Sequence, residues 1–192
     1  WEEASEIIKG KAPTIKINKF DLTVGYRSAG EILFECNKLI EQKAKSVFKI
    51  GESPKIERFI SATDGIEKIM QSVTAFKGKA KGENLSIGII SKTLEGCSYL
   101  QTKLREGLPK EIPVNLMSKS ADTLESGVTI LPAILSKGLE FDAVIIANAS
   151  SEHFHNTELD RRILYVCMSR ARYLLHIYFS KELTNLLTVR VD

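Results

Sequence analysis

The chain has 192 residues, of which 43% are hydrophobic and 27% charged. This composition is typical of a folded domain with its own core and excludes a disordered segment. The formal net charge of +3 is too small to indicate nucleic-acid binding on its own. No apolar run approaches the roughly 20 residues of a membrane span, and no signal peptide is visible. The first residue is Trp1 and not methionine, which predicts a fragment of a longer protein.

Apolar periodicity predicts strands that alternate with helices along the chain. The predicted elements are a helix over 1–9 broken at 10–13, a strand over 14–20, a helix over 32–40, a strand over 55–60, a helix over 64–76, a surface turn over 77–82, a strand over 85–90, a helix over 93–106, a strand over 114–117, a loop over 119–127, strands over 128–131 and 143–147, a helix over 159–172, a strand over 173–179 and a closing helical turn over 183–187. The central strands are apolar on both faces, which is typical of a parallel sheet covered by helices on both sides. The sequence therefore predicts a three-layer α/β domain over 13–192, with 1–12 as a linker or the tail of a preceding element.

The three cysteines, Cys36, Cys97 and Cys167, are widely spaced and form no C-x-x-C pair. An odd number without such spacing argues against a disulfide framework and against a zinc site. The pattern predicts a reducing compartment, and we expect a cytoplasmic protein.

Tyr26 and Arg27 stand just before a predicted helix. Ser28 and Glu31 are three residues apart ahead of the apolar stripe that begins at Ile32, which is the spacing of a capping box. Helix N-termini attract anions, so Tyr26 and Arg27 could meet a phosphate. An exposed loop arginine beside a packed tyrosine is the alternative, and on this stretch alone it is favoured.

Phosphate-binding and nucleophile motifs are absent from the sequence. It contains no G-x-x-x-x-G-K-[ST], no G-x-G-x-x-G and no G-x-S-x-G, so the chain has no phosphate-cradling loop of its own. His153 and His155 follow a predicted strand and could contribute to a metal site. No third ligand stands near them in sequence, so a surface loop is the favoured interpretation.

Arg170 falls among apolar side chains in the helix predicted over 159–172. At 100° per residue, its direction lies between those of Val166 and Ile163. An unpaired buried charge is costly, so such a guanidinium needs an anionic partner. The partner is either a core carboxylate such as Asp142 or a phosphate across a cleft, unless the side chain extends to solvent from the helix end.

Gly138 lies between Lys137 and Leu139, shortly before the strand predicted over 143–147. Glycine at such a position permits a tight turn or a close approach of the backbone to a ligand. Glu140 is either a surface carboxylate or an acceptor for a hydroxyl group.

Three stretches resemble motifs of the UvrD/Rep-type superfamily 1 helicases. Residues 137–142 (K-G-L-E-F-D) resemble motif V, residues 164–171 (L-Y-V-C-M-S-R-A) resemble motif VI, and residues 25–28 (G-Y-R-S) resemble motif IV. They occur in the order of that family and span most of the chain. The resemblance implies the second of two RecA-like domains, which have a mainly parallel sheet and bind ATP between them.

The resemblance also implies roles for five residues. Arg170 would be the arginine finger of motif VI, and Arg27 the motif IV arginine that reaches the γ-phosphate. Tyr26 would stack on the adenine, while Glu140 and the backbone near Gly138 would contact the ribose and phosphate side. The phosphate loop and most of the Mg²⁺ coordination would come from the N-terminal RecA-like domain, so this chain alone would not hydrolyse ATP.

Two features depart from the UvrD pattern. Motif V there usually begins T-x-H-x-x-K-G, and Ile134 stands at the position of the histidine whose region contacts single-stranded DNA. The interval between motifs IV and V is roughly the 100 residues of one ordinary domain, which leaves little room for the accessory subdomain of UvrD. The sequence over 130–149 is closer to the HelD, or helicase IV-like, group, which is associated with RNA polymerase in some bacteria.

Three functions follow from these comparisons of motifs. The leading one is the second motor domain of an ATP-dependent DNA helicase or translocase. The second is a HelD-type ATPase that remodels or recycles RNA polymerase. The third is a RecA-like domain that serves only for binding.

Overall fold

A computed structural model describes residues 2–18, 23–40, 44–47, 51–79, 85–117 and 127–188. The helices are α1 (Glu2–Lys11), α2 (Gly30–Ile40), α3 (Ala62–Lys79), α4 (Leu94–Gly107) and α5 (Glu158–Met168). The strands are β1 (Val24–Gly25), β2 (Lys45–Ser46), β3 (Lys55–Phe59), β4 (Ile87–Ser91), β5 (Val114–Leu116), β6 (Val128–Pro132), β7 (Phe141–Ile146) and β8 (Ala171–Ser180). A 3-10 helix spans Ala133–Leu135.

Six strands form one parallel sheet in the order β3-β8-β7-β4-β6-β5. The short strands β1 and β2 form a separate parallel pair. β4, β6 and β7 are buried along almost their whole length, because helices cover both faces of the sheet. The predicted α/β fold with a mainly parallel sheet is confirmed.

Two apolar clusters lie on opposite faces of this sheet. Successive side chains of a strand point to opposite faces. Ile89 and Ile145 therefore pack in the cluster under α3 and α4. Ile90 and Val144 pack in the cluster under α2 and α5. Within the described ranges, no helix combines the length and the apolar character needed to cross a membrane.

The amino-terminal elements differ from the prediction. α1 continues through Gly10 to Lys11, so the predicted break at Gly10 is wrong and the helix ends just before Pro13. The strand predicted over 14–20 is also wrong for residues 14–18, where the N–H of Ile15 donates to the carbonyl of Ala12 at 3.1 Å in a turn. Alternation of apolar residues makes a strand only where a neighbour pairs with its backbone, and no described strand does so here. Residues 19 and 20 lie outside the described residues.

The helix predicted over 159–172 comprises two elements and a turn. α5 ends at Met168, Ser169 and Arg170 form a turn, and β8 begins at Ala171. β8 pairs with both β3 and β7, so sheet hydrogen bonds replace the helical ones from Ala171 onward. The helical direction predicted for Arg170 therefore does not apply.

The surface segments are only partly described. Residues 77–79 form the last turn of α3, so the turn predicted from residue 77 begins too early. Residues 80–82 and most of the loop predicted over 119–127 lie outside the described ranges. The closing helical turn predicted over 183–187 is a turn at 185–187 only, and Leu183 forms an isolated antiparallel bridge with Ser150.

Candidate nucleotide site

The stretches before β7 and β8 meet at the amino edge of the sheet. β7 and β8 are parallel neighbours, with Phe141 opposite Ala171. Glu140 and Arg170 directly precede these two residues, so they lie next to each other at the amino-terminal ends of the two strands. The N–H of Phe141 donates to the carbonyl of Arg170 at 3.0 Å, which fixes the two stretches to each other.

Ser28 brings the segment before α2 to the same edge. Its hydroxyl donates to the carbonyl of Ala171 at 2.7 Å, and the N–H of Ala29 donates to the carbonyl of Arg172 at 2.7 Å. α2 begins at Gly30, so Ala29 and not Ser28 occupies the N-cap position. The predicted capping box is therefore wrong, because Ser28 uses its hydroxyl to join this segment to β8.

Arg170 is buried, with only 7% of its surface exposed. Its Nε donates to the carbonyl of Val166 at 2.9 Å, and its Nη1 donates to the carbonyl of Leu139 at 3.0 Å. Its Nη2 donates to the hydroxyl of Ser169 at 3.0 Å. All three acceptors are uncharged. The alternative in which Arg170 extends to solvent is wrong.

Asp142, the carboxylate considered as a partner for Arg170, has other partners. Its Oδ1 accepts from Nη1 of Arg172 at 3.2 Å. Its Oδ2 accepts from the backbone N–H and the hydroxyl of Ser86 at 3.0 and 2.7 Å. That alternative is wrong too, and no carboxylate among the described residues forms an ion pair with Arg170.

The electrostatic surroundings of Arg170 favour an added anion. Burial lowers the pKa of its guanidinium, the positive charge of Arg27 lowers it further, and the negative charge of Glu140 acts in the opposite direction. Arginine nevertheless stays protonated in proteins. An anion between Arg27 and Arg170 would offset both the loss of hydration and the repulsion of like charges.

Arg27 and Glu140 form an ion pair at this edge, with Nε of Arg27 donating to Oε1 of Glu140. Both side chains are almost half exposed, at 45% and 44%. Ion pairs this exposed contribute about 0 to 1 kcal/mol to stability. Arg27 can therefore exchange the carboxylate for another anion at little cost.

Tyr26 and Gly138 complete the set predicted from the sequence. Tyr26 is 72% exposed, so the alternative of a packed tyrosine is wrong and its ring faces are accessible. Gly138 has a φ of +88° and open space where a Cβ would stand. The backbone conformation, and not a close neighbour, therefore requires glycine here. The turn that contains Gly138 presents the carbonyl of Leu139 to Arg170.

The histidines after β7 do not join other metal ligands. Nδ1 of His153 lies 3.0 Å from the hydroxyl of Ser150. The backbone N–H of His155 donates to Oδ2 of Asp160 at 2.7 Å. In the part of the chain that the structure describes, no group of three His, Cys, Asp or Glu side chains could hold a metal ion. These residues do not fit a Mg²⁺ site, and we assign no step to a metal bound by this chain.

Sequence reasoning missed three neighbours of Arg170. The carbonyl of Leu139 leaves no signature in a sequence, and a helix over 159–172 would direct Ser169 about 100° away from Arg170. The same helix would direct Tyr165 about 140° away from Arg170. Burial raises the pKa of Tyr165, while the charges of Arg170 and Arg27 lower it, so the phenol lies within electrostatic range of both guanidinium groups. The only signal for Tyr165 in the sequence was its position four residues before Ser169, about one helical turn away.

The fold and one family model indicate which kind of domain this chain is similar to. The fold is that of a RecA-like helicase C-terminal domain. The family model described as the UvrD-like helicase C-terminal domain matches residues 128–178, a range that includes Gly138, Glu140 and Arg170.

One solved structure is similar over nearly the whole chain. It is the C-terminal domain of a possible DNA helicase from Lactobacillus plantarum WCFS1, with 28% sequence identity and a TM-score of 0.70 over 88% of this chain and 94% of that chain. A structure of Mss116p bound to ssRNA and AMP-PNP has 17% identity and a TM-score of 0.46 over 67% of this chain and 27% of that chain, a likeness too low to support an argument. No curated protein sequence matches the chain.

Proposed function

We propose that this chain is the second motor domain of an ATP-dependent DNA helicase or translocase. In this proposal, Arg170 and Arg27 act on an ATP site that an N-terminal RecA-like domain completes. The observation that carries the proposal is the state of Arg170, a buried guanidinium whose described partners are all uncharged. The family match over 128–178 and the similarity to a DNA helicase domain support the choice of enzyme class.

Arg170 has donors to spare for a phosphate. A guanidinium carries five N–H groups, and the carbonyls of Val166 and Leu139 and the hydroxyl of Ser169 take three of them. One N–H on Nη1 and one on Nη2 have no partner among the described residues. Two donors on neighbouring nitrogens suit the oxygens of a phosphate group.

The chemistry is the stabilisation of charge during phosphoryl transfer. The γ-phosphoryl group passes through a loose transition state with negative charge spread over its oxygens. Arg170 is already fixed and desolvated, so it stabilises that charge without reorganising. Arg27 exchanges Glu140 for the γ-phosphate, Glu140 then accepts from the ribose, and Tyr26 stacks on the adenine. The turn at Gly138 holds the backbone on the phosphate side.

The proposal assigns the remaining parts of the reaction to other components. The sequence contains no phosphate loop, and the described residues offer no metal site. The N-terminal RecA-like domain therefore supplies the loop and holds Mg²⁺, which neutralises charge on the β- and γ-phosphates when bound. The polymer on which the motor acts is DNA.

The proposed domain boundaries agree with the packing of α1. α1 contributes no residue to either apolar cluster, and Ile7 and Ile8 on it are exposed. We propose that residues 1–12 are a linker or the tail of a preceding element and that 13–192 form the motor domain.

The test compares this chain alone with a protein that joins it to its phosphate-loop domain. We expect no ATP hydrolysis by the chain alone. In the joined protein, Arg170→Ala lowers kcat about 10³-fold, the usual scale for an arginine finger. Arg162→Ala is the matched control, because Arg162 is an exposed arginine of α5 paired with Glu158 on the surface, and it leaves kcat unchanged. ATP turnover by the chain alone that Arg170→Ala abolishes would contradict a shared site.

Ile134 favours a second candidate function. It is 77% exposed on the 3-10 helix before motif V, and an aliphatic side chain cannot donate a hydrogen bond to a DNA phosphate. We propose as the alternative a HelD-type ATPase that remodels or recycles RNA polymerase. Unwinding of a forked duplex by the joined protein supports the helicase, whereas capture of RNA polymerase without unwinding supports the remodeller. Nucleotide binding without hydrolysis would indicate a RecA-like domain that only binds.

A further inference from the structure

Ser169 stands at the junction between α5 and β8 with its side chain turned inward. Only 8% of its surface is exposed. Its backbone N–H donates to the carbonyl of Tyr165 at 2.9 Å and closes the last turn of α5. The helix end is therefore completed by the backbone of Ser169, and its hydroxyl is available for another purpose.

The hydroxyl of Ser169 makes two hydrogen bonds of opposite sense. It donates its single proton to the carbonyl of Val166 at 3.0 Å. It accepts from Nη2 of Arg170 at 3.0 Å, and a guanidinium can only donate. Because the proton is committed to Val166, a lone pair of the oxygen is directed at Arg170.

These contacts fix all three nitrogens of Arg170. Val166 accepts from Nε, Leu139 accepts from Nη1, and Ser169 accepts from Nη2. Val166 and Leu139 contribute backbone carbonyls, which substitution of their side chains does not remove. Ser169 contributes the only side-chain acceptor that the described residues offer to this guanidinium.

We propose that Ser169 is a positioning residue, which sets the rotation of the Arg170 guanidinium so that its two remaining N–H groups face the γ-phosphate. This inference rests on the role proposed for Arg170 in ATP hydrolysis. Loss of the Ser169 acceptor frees Nη2, and the planar group, still held at Nε and Nη1, then tilts about the line through those two nitrogens. Ground-state binding of ATP depends on several other contacts, so the effect falls on the transition state and appears in kcat.

The kinetic test uses the protein that joins this chain to its phosphate-loop domain. Ser169→Ala lowers kcat about tenfold, as expected for one hydrogen bond to a charged group, and leaves KM unchanged. Ser169→Thr keeps the hydroxyl and retains at least half of kcat. In the Arg170→Ala background, Ser169→Ala causes no further loss, because no guanidinium remains to be positioned.

The outcomes separate this inference from the proposed function. If Arg170→Ala lowers kcat but Ser169→Ala does not, positioning by Ser169 is wrong and the proposed function stands. If Arg170→Ala has no effect, the proposed function fails and positioning fails with it. A loss in Ser169→Ala that persists in the Arg170→Ala background indicates a general structural defect and also overturns the proposal.

A second measurement needs only the 192-residue chain. In ¹⁵N NMR spectra of the wild type, the Nη groups of Arg170 should give separate signals, since rotation of the held guanidinium is slow. In Ser169→Ala these signals should broaden, because only two of the three nitrogens are still held, and in Ser169→Thr they should stay sharp and separate. Identical spectra for Ser169→Ala and the wild type would show that Ser169 does not hold the guanidinium. Circular dichroism confirms that each variant is folded, and Ser169→Cys, a weaker acceptor, replaces Ser169→Ala if that variant does not fold.

Discussion

The N–H of Phe141 donates to the carbonyl of Arg170 at 3.0 Å, and this bond joins the starts of two neighbouring strands. It places the turn of Gly138 beside the side chain of Arg170, whose Nη1 returns a hydrogen bond to the carbonyl of Leu139. The turn before β7 and the turn before β8 therefore form one unit. A change in either turn should alter the geometry of the proposed catalytic arginine.

Gly138→Ala tests the contribution of the turn before β7. A φ of +88° is unfavourable for alanine, so we expect stability to fall by about 1 to 2 kcal/mol and kcat to fall because the carbonyl of Leu139 shifts. Gly10→Ala is the control. Gly10 lies within α1 with open space around it, and alanine there should raise helix stability by about 0.5 to 1 kcal/mol. Urea denaturation measures stability and an ATPase assay measures kcat. If Gly138→Ala is destabilised but its kcat is unaltered, the turn does not contribute to catalysis.

Tyr26 should affect nucleotide binding and leave stability almost unchanged. Its ring is largely exposed, so Tyr26→Ala should change the free energy of unfolding by less than about 0.5 kcal/mol. Stacking of a base on an aromatic ring contributes about 1 to 3 kcal/mol, so KM for ATP should rise about fivefold or more. Tyr26→Phe keeps the stacking surface and should resemble the wild type. Equal KM values for all three proteins would rule out stacking on adenine.

Glu140→Gln removes one charge from the pair with Arg27. Because both side chains are almost half exposed, stability should fall by no more than about 1 kcal/mol. KM for ATP should rise several-fold, since the amide is a weaker acceptor for a ribose hydroxyl. The same assay with the 2′,3′-dideoxy nucleotide provides the control. This nucleotide has no ribose hydroxyl for residue 140 to bind, so Glu140→Gln should change its KM only slightly. A large loss of thermal stability with unchanged KM would instead make this pair structural.

His176 should make stability depend on pH. Its Nδ1 lies 2.7 Å from the hydroxyl of Ser72. Burial, which is the largest cause, and the charges of Lys55 and Lys79 lower its pKa from 6.5 to about 4. The unfolded chain therefore binds the proton first as pH falls, so stability is complete above pH 6.5 and declines towards pH 4. The shift corresponds to at most about 3 kcal/mol, and partial solvent access reduces the expected loss to roughly 1 to 2 kcal/mol.

Urea denaturation between pH 6.5 and 5 measures this dependence. Folding lowers the pKa of Glu57 from 4.5, so Glu57 affects stability mainly below pH 4.5. The range from pH 6.5 to 5 therefore reports chiefly on His176. His176→Asn removes the titrating group and should flatten the slope. A wild-type protein whose stability is constant over this range would show that the pKa of His176 is not lowered by folding.

The parts of the fold that are set by burial were predictable from the sequence. β7 has apolar side chains on both of its faces, at Val144, Ile145 and Ile146, because helices cover both faces of the sheet. A tight turn was one of the two roles predicted for Gly138, because few other residues adopt a positive φ. Elements that depend on a distant partner were not predictable. Among the described strands, none pairs with the apolar alternation over 14–18, and Ser28 donates to a carbonyl of β8 instead of capping α2.

The prediction for Arg170 was correct in one respect and wrong in another. Its burial was predicted, but from a helix that ends before it. The acceptors that hold it were not predictable, because two are backbone carbonyls whose positions depend on the sheet. The roles in nucleotide binding and catalysis stay predictions for five residues: Arg170, Arg27, Tyr26, Gly138 and Glu140.

The most direct measurement compares the binding of ADP with that of ADP–aluminium fluoride, a mimic of the γ-phosphoryl transition state, to the joined protein. An arginine finger acts mainly on the transition state. Arg170→Ala should therefore weaken binding of the mimic by about 10²-fold or more, and leave the Kd for ADP within about twofold of the wild type. Equal losses for both ligands, or no loss for either, would contradict the claim that Arg170 completes the ATP site.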